Sequence, residues 1–298
     1  WIPLIHQLPQ TTQRIISLQQ RTISVSHGPL ILLVYTAIEI NHISSTGEIA
    51  PVLGVQHGAS ACGMAFRVRD SRAAYDRALQ GLIDCFEPRL VVLAGFMRIL
   101  TPGFVRHYAG RLLNTHPSLL PKYRGGSAIN WAIINGERET GVTIHFIDEG
   151  VDTGPILLQE KVDITPDDTV KSVYFQKLYP LGIKMIAEAV RLIREGKASP
   201  TEQDESLASF QPVISASDTV IDWTQSTEKI YNLIRGANPS PGAVTKLGEQ
   251  RCAFYDAAPS EQTGEPGTVL EIAPESFTVA TRDGAITVNS AKPPGQKK

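Results

Sequence analysis

The stretch Leu112-Leu-Asn-Thr-His-Pro-Ser-Leu-Leu-Pro121 decides the fold. Its two leading leucines read as the interior of a buried strand. Pro117 stops that strand, because proline cannot donate to a sheet ladder. Side chains two positions apart on a strand share a face. Asn114 and His116 therefore project together at the C-terminal end of the strand. In open α/β sheets that is the end where ligand sites form.

Working outward, the neighbouring segments supply the rest of such a sheet. Ser71 is placed to cap a helix whose apolar face is Tyr75, Leu79, Leu82 and Phe86, with Pro88 as its stop. Leu90–Ala94 is a continuous apolar run of the kind found in buried parallel strands, ended by Gly95. Pro102–Tyr108 is a short helix, and Arg111–Thr115 is the strand that leads into the opening motif. Ser127 is expected to cap a helix through Ile134, with Gly136 beyond its end. Gly141–Ile147 and Pro155–Val162 read as strands. Thr165-Pro166 is expected to open a long helix, with Pro166 at its first position and Asp167 and Asp168 in its first turn. Its apolar face runs from Val170 to Ile193, and Gly196 closes it. Alternating strands and helices imply a doubly wound α/β fold with a mainly parallel sheet.

The texture changes after residue 200. Residues 201–212 are polar and read as a linker. Beyond them come one helix at Thr227–Ile234, the turn Asn238-Pro-Ser-Pro-Gly242, and short strands at 244–247, 251–255, 267–272, 276–281 and 285–289. That pattern predicts a small β-rich domain of barrel type over 213–298, with 293–298 frayed. The main α/β domain then covers 70–200.

Residues 1–69 fit the scheme least. The chain begins with Trp1, as a fragment, a processed form or an artificial chain would, and its acids up to Arg69 are only Glu39 and Glu48. This acid-poor, Ser/Thr/Gln-rich character weakly resembles an organelle transit peptide. Against that, Leu30–Ile38 reads as a core strand, so the segment is expected to form part of the sheet.

Composition narrows the function classes. With 298 residues, 42% hydrophobic and 19% charged, the chain is that of a globular protein of about two domains. A net charge of −2 gives no global attraction to nucleic acid or anionic membrane. Cys62, Cys85 and Cys252 are odd in number and show no metal-ligand or CxxC spacing, which fits a reducing, cytoplasmic setting and implies no metal site. No run of 18 apolar residues is present, and the apolar stretch Pro29–Ile38 is too short to span a bilayer.

A second chemical signal follows the first. Asp148-Glu-Gly-Val-Asp-Thr-Gly154 is an acidic, glycine-containing loop between two strands. A single histidine at a strand end is more often structural than catalytic, and an acidic glycine loop is usually a turn. The two together, in this wording, are more specific. Asn-x-His-Pro-Ser-Leu-Leu-Pro followed by Asp-x-Gly resembles the folate-dependent formyltransferases. That family includes glycinamide ribonucleotide transformylase, methionyl-tRNA and sugar-amine formyltransferases, and formyltetrahydrofolate hydrolases. Residues 71–123, with Val91-Val-Leu-Ala-Gly-Phe-Met-Arg-Ile-Leu100, are most similar to the first. Arg124–Gly136, Gly141–Gln159 and the tail are more similar to the tRNA and sugar enzymes, the tail through Ile221-Asp-Trp and Ile230-Tyr-Asn-Leu-Ile-Arg-Gly236.

The resemblance implies 10-formyltetrahydrofolate as co-substrate and an amine as acceptor. Methionyl-tRNA comes first because of the two-domain layout, then glycinamide ribonucleotide, then an amino sugar. Hydrolysis of the folate and an inactive folate-binding protein are the rival readings. Asn114 and His116 are the expected oxyanion donors, and Asp152 is the expected proton acceptor, placed to favour the charged form of His116. The pterin is expected against Met97, Arg98, Ile99 and Leu100 and against Asp148, Glu149, Gly150 and Val151. His145 is a candidate helper, and His107 is read as a surface residue.

Two features depart from the family pattern. No substrate-binding loop of closely spaced small residues is evident in 1–69; His27-Gly-Pro29 and His57-Gly-Ala-Ser60 are weak stand-ins. Residues 201–298 carry eight Lys/Arg against thirteen Asp/Glu, a net of −5, where a tRNA-binding part is expected to be basic. Clustering of Arg235, Lys246 and Arg251 is the one candidate basic patch.

Overall fold

A computed structural model describes residues 31–34, 52–56, 59–63, 71–85, 87–248 and 250–292. Phe86, His27-Gly-Pro29, His57-Gly58, residues 293–298 and most of 1–69 lie outside the described residues.

The strands are β1 (Ile31–Val34), β2 (Val52–Gln56), β3 (Ala59–Gly63), β4 (Leu90–Ala94), β5 (Leu112–His116), β6 (Arg124–Gly125), β7 (Glu139–Phe146), β8 (Ile156–Asp163) and β9 (Phe210–Gln211). Seven of them form one sheet in the order β2-β3-β1-β4-β5-β7-β8. The pairs β3–β1, β1–β4 and β4–β5 are parallel, and β2–β3 is antiparallel. Within the early segment β1 pairs Ile31–Val34 with Leu90–Leu93. The chain divides into two compact units. One comprises Trp1–His116, Ile144–Leu158 and Met185–Gln203; the other comprises Pro117–Thr143, Gln159–Lys184 and Asp204–Lys298.

In the first unit, helix α1 (Arg72–Asp84) starts where Ser71 Oγ accepts the Ala74 N–H at 3.2 Å, the expected cap. Its face of Tyr75, Leu79 and Ile83 is buried with Val91 and Leu93 of β4 and Leu112 of β5. Helix α2 (Pro102–His107) adds Phe104, and Tyr108 follows it into the same core. The buried carboxylate of Asp76 accepts the Thr101 N–H at 2.5 Å, fixing the entry to α2. His107 is exposed, as read from the sequence, and sits 3.0 Å from Asp84.

In the second unit, helix α3 (Ala128–Ile134) follows Ser127, but the expected cap is absent. Ser127 has φ 57 and its Oγ accepts the Ile214 N–H at 3.0 Å, so a tertiary contact has claimed the hydroxyl. The expected helix start at Pro166 is also corrected. Pro166 and Asp167 form a turn, and Asp168 accepts the Thr165 N–H and hydroxyl at 2.7 and 2.9 Å. Helix α4 (Val170–Ser172) begins after Thr169, which forms a reciprocal capping box with Ser172. A π-helical stretch, Val173–Leu178, then leads into α5 (Tyr179–Arg194). A side-chain–backbone turn at Asp168 thus competes successfully with the N1 proline signal.

The expected linker is well anchored. It holds a 3₁₀ turn, Glu205–Leu207, and β9, which pairs with β6. The buried guanidinium of Arg124 makes hydrogen bonds of 2.9 and 2.6 Å to Glu205. The tail is helix α6 (Thr227–Ala237) packed on β10 (Ala243–Leu247), β11 (Gln250–Ser260), β12 (Val269–Ile272), β13 (Phe277–Ala280) and β14 (Ala285–Lys292). These strands form an antiparallel sheet in the order β10-β11-β14-β13-β12. Ile230 and Ile234 of α6 meet Phe254, Ile286 and Val288 in its core. Among the described residues no helix is long and apolar enough to cross a membrane.

Candidate functional site

The site is assembled within the first unit, at the end of β5. Leu112 and Leu113 are fully buried, which pins the strand and leaves Asn114 and His116 to emerge from its end. His116 is 5% exposed. β7 brings His145, which is 1% exposed. The loop from β7 to β8 brings Asp152.

These four side chains meet. Asp152 Oδ2 lies 3.5 Å from His116 Nδ1, and its Oδ1 lies 3.6 Å from His145 Nε2. Asn114 Nδ2 lies 3.3 Å from His145 Nε2. His145 Nδ1 is 2.8 Å from the Phe146 carbonyl. A carbonyl only accepts, so Nδ1 carries a proton, and in the Nδ1–H tautomer Nε2 accepts from the Asn114 amide. That contact leaves the second Asn114 N–H directed elsewhere. The Asp152 carboxylate thus lies between the two rings, at distances from each somewhat longer than those of a short hydrogen bond.

The loop is braced from several sides. Asp148 Oδ1 accepts the Gly150 N–H at 3.0 Å and the Thr153 hydroxyl at 2.5 Å. A Cβ at Gly154 would collide with the Phe146 carbonyl, so only glycine fits there. Asp152 itself has φ 56, a left-handed conformation that costs a non-glycine residue about 1–3 kcal/mol. The Gln203 side-chain amide donates to the carbonyls of Asp152 and Gly154, each at 2.8 Å. Arg106 on α2 pairs with Glu149 at 2.7 Å on the exposed side of the loop.

The residues after β4 divide by face. Met97 and Ile99 are each 60% exposed, although either residue alone reads as core. Leu100 packs onto the core, and the Arg98 guanidinium lies 4.2 Å from the centre of the Tyr75 ring. Because β4 and β5 are parallel neighbours, with Ala94 beside Thr115, this segment leaves the same edge of the sheet as Asn114 and His116. Exposed apolar side chains beside convergent polar groups suit a flat heterocycle. Among the described residues no group of three or more His, Cys, Asp or Glu is arranged to hold a metal ion.

Sequence reading missed Gln203 and Arg106. Gln203 lay in a polar stretch with no periodicity, and its partners are backbone carbonyls, which leave no mark in a sequence. Arg106 was absorbed into a short surface helix.

Comparison with known proteins gives the family. Residues 43–190 match the family described as formyl transferase, and residues 213–298 match the formyl transferase C-terminal domain. The chain is 36% identical over 225 residues to a methionyl-tRNA formyltransferase of Syntrophus aciditrophicus (strain SB), covering 75% of this chain and 72% of that protein. It is 41% identical over 214 residues to one from Kosmotoga olearia, covering 71% and 68%. A crystal structure of HypX from Aquifex aeolicus in complex with tetrahydrofolic acid shares the fold, with a TM-score of 0.65, 21% identity, 88% of this chain covered and 44% of that one. This chain thus spans less than half the length of HypX. A methionyl-tRNA formyltransferase from Clostridium thermocellum also shares the fold, with a TM-score of 0.54, 17% identity, and coverage of 77% and 93%. With both family domains matched and relatives of this similarity aligned over most of their length, the chain belongs to the formyl transferase family.

Proposed function

We propose that this chain transfers a formyl group from 10-formyltetrahydrofolate to the amine of methionyl-tRNA, using Asn114, His116 and Asp152. The convergence of these three residues at one strand end carries the reading. The names of the similar proteins support the acceptor.

Each residue has a task that follows from its chemistry. The attacking amine turns the formyl oxygen into an oxyanion, and the second Asn114 N–H is available to it. His116, in its protonated form beside the Asp152 carboxylate, supplies a charged donor. Loss of one such preorganised donor costs about 2.7–4 kcal/mol. Asp152 takes the proton released by the amine, directly or through a water, and the folate nitrogen receives one as it leaves. His145 holds the Asn114 amide in place. Met97 and Ile99, with the backbone of Asp148, Glu149, Gly150 and Val151, are the proposed pterin surface.

We assign residues 70–200 to the catalytic part and 213–298 to the part that meets the acceptor, and we place the reaction in the cytoplasm. Turnover of 10-formyltetrahydrofolate by purified protein tests the proposal, measured with methionyl-tRNA, glycinamide ribonucleotide or an amino-sugar nucleotide, beside an Asp152→Asn variant. Turnover that requires methionyl-tRNA and drops at least a hundredfold in Asp152→Asn is the expected result. Turnover with another amine moves the acceptor, formate release without any amine makes the chain a hydrolase, and no turnover by folded protein removes the transferase reading.

A further inference from the structure

Asp152 sits in the left-handed region, with φ 56, which an aspartate adopts more readily than most side chains but which is not its default, while its side chain reaches between His116 and His145. Internal bracing by Asp148 fixes Gly150 and Thr153 but does not touch the Asp152 backbone. Gln203 does: its amide nitrogen is 2.8 Å from the carbonyl of Asp152 and 2.8 Å from that of Gly154. One NH₂ group has two hydrogens, and here each has a carbonyl acceptor. The Asp152 carbonyl belongs to the peptide that follows Asp152, so this bond sets ψ of the residue whose carboxylate faces the histidines.

Gln203 is itself well anchored. Two residues earlier, Thr201 and Ile156 form an antiparallel bridge, with both N–H to carbonyl bonds at 2.8 Å. Ile156 opens β8, the strand into which the loop runs. The Gln203 backbone is therefore tied to the rigid sheet, while its side chain reaches back to the loop.

We propose that Gln203 is a positioning residue for formyl transfer, which sets the angle at which the Asp152 carboxylate addresses His116 and the incoming amine. This rests on the catalytic reading of Asp152 given above. Replacing the amide with a group of similar length and no donor frees the Asp152 peptide to leave its left-handed conformation. The folate surface at Met97 and Ile99 is untouched.

The test compares Gln203→Met, which keeps length and loses both donors, with Gln203→Lys, whose ammonium can donate to both carbonyls. Gln203→Glu, an isostere with no donor, replaces the Met variant if that protein does not purify folded. Thermal melting establishes that each variant is folded, and kcat and KM for 10-formyltetrahydrofolate are measured with saturating acceptor. The expected result is a kcat at least tenfold lower in Gln203→Met with KM changed less than twofold, and a kcat in Gln203→Lys within about threefold of wild type. A role in stability alone lowers the melting temperature of Gln203→Met and leaves kcat within twofold of wild type, which overturns the proposal. Equal loss of kcat in the Met and Lys variants overturns it as well. An Asp152→Asn variant run in parallel separates the two levels. If it keeps wild-type kcat, the catalytic assignment falls and takes the positioning role with it. If it is inactive while Gln203→Met is unimpaired, only the positioning role falls.

Discussion

In the proposed mechanism Asn114 donates one amide hydrogen to His145 and offers the other to the developing oxyanion. The two residues therefore predict different losses. Asn114→Ala removes the donor itself, and kcat is expected to fall about 10²–10³-fold with little change in KM. His145→Ala removes the group that orients the donor, a net hydrogen bond of about 1 kcal/mol, and leaves the donor itself in place, so kcat is expected to fall roughly fivefold to tenfold. Steady-state kinetics on the two purified variants checks the ranking; a larger loss at His145 would reverse the roles. Asn114 and His116 were legible in the sequence because period-two geometry and a following proline place them without any tertiary information. His145 was visible only as a candidate. Its hydrogen bond to the next residue's carbonyl, which settles its tautomer, appears only once the backbone is folded.

Among the elements, the turn before α4 carries the clearest pH dependence. Burial opposes ionisation of Asp168, but hydrogen bonds from Lys177, Ser172 and Thr165 outweigh it and pull the carboxyl down to about 2. A depressed carboxyl contributes stability that is fully present above its unfolded value and is lost as pH falls through the folded one. The contribution is about 2 kcal/mol, present above about pH 4 and lost toward pH 2. Asp168→Asn is therefore expected to lower stability by that order at pH 7 and by much less near pH 2, as read by urea denaturation at the two pH values. Gly154→Ala forces a Cβ against the Phe146 carbonyl, and both stability and kcat are expected to fall, the former by about 1–3 kcal/mol. Where an apolar run or an N-cap acts alone, as at Leu90–Ala94 and Ser71, sequence reading placed the element within a residue or two. It erred at Pro166, where Asp168 recruits Thr165 and Lys177 from either side, and at Ser127, whose hydroxyl serves a residue 87 positions away. Both errors come from side chains whose partners are set by the fold.

For the molecule as a whole, charge and connectivity matter most. The net charge of −5 over 201–298 predicts few phosphate contacts from that part. Raising salt from 50 to 200 mM is therefore expected to raise KM for methionyl-tRNA by about tenfold or less, where a protein with six or more phosphate contacts loses about a thousandfold or more in affinity. A steep rise would show that the tail's local basic residues outweigh its total. The chain passes between its two compact units five times, and each unit is built from three separate segments. During synthesis the unit that holds the site remains unfinished until Gln203 has left the ribosome, although Asn114 and His116 emerge some ninety residues earlier. Nascent chains arrested before that point will expose the open end of the sheet to proteases and chaperones, and those long enough to release it will be the first to resist digestion.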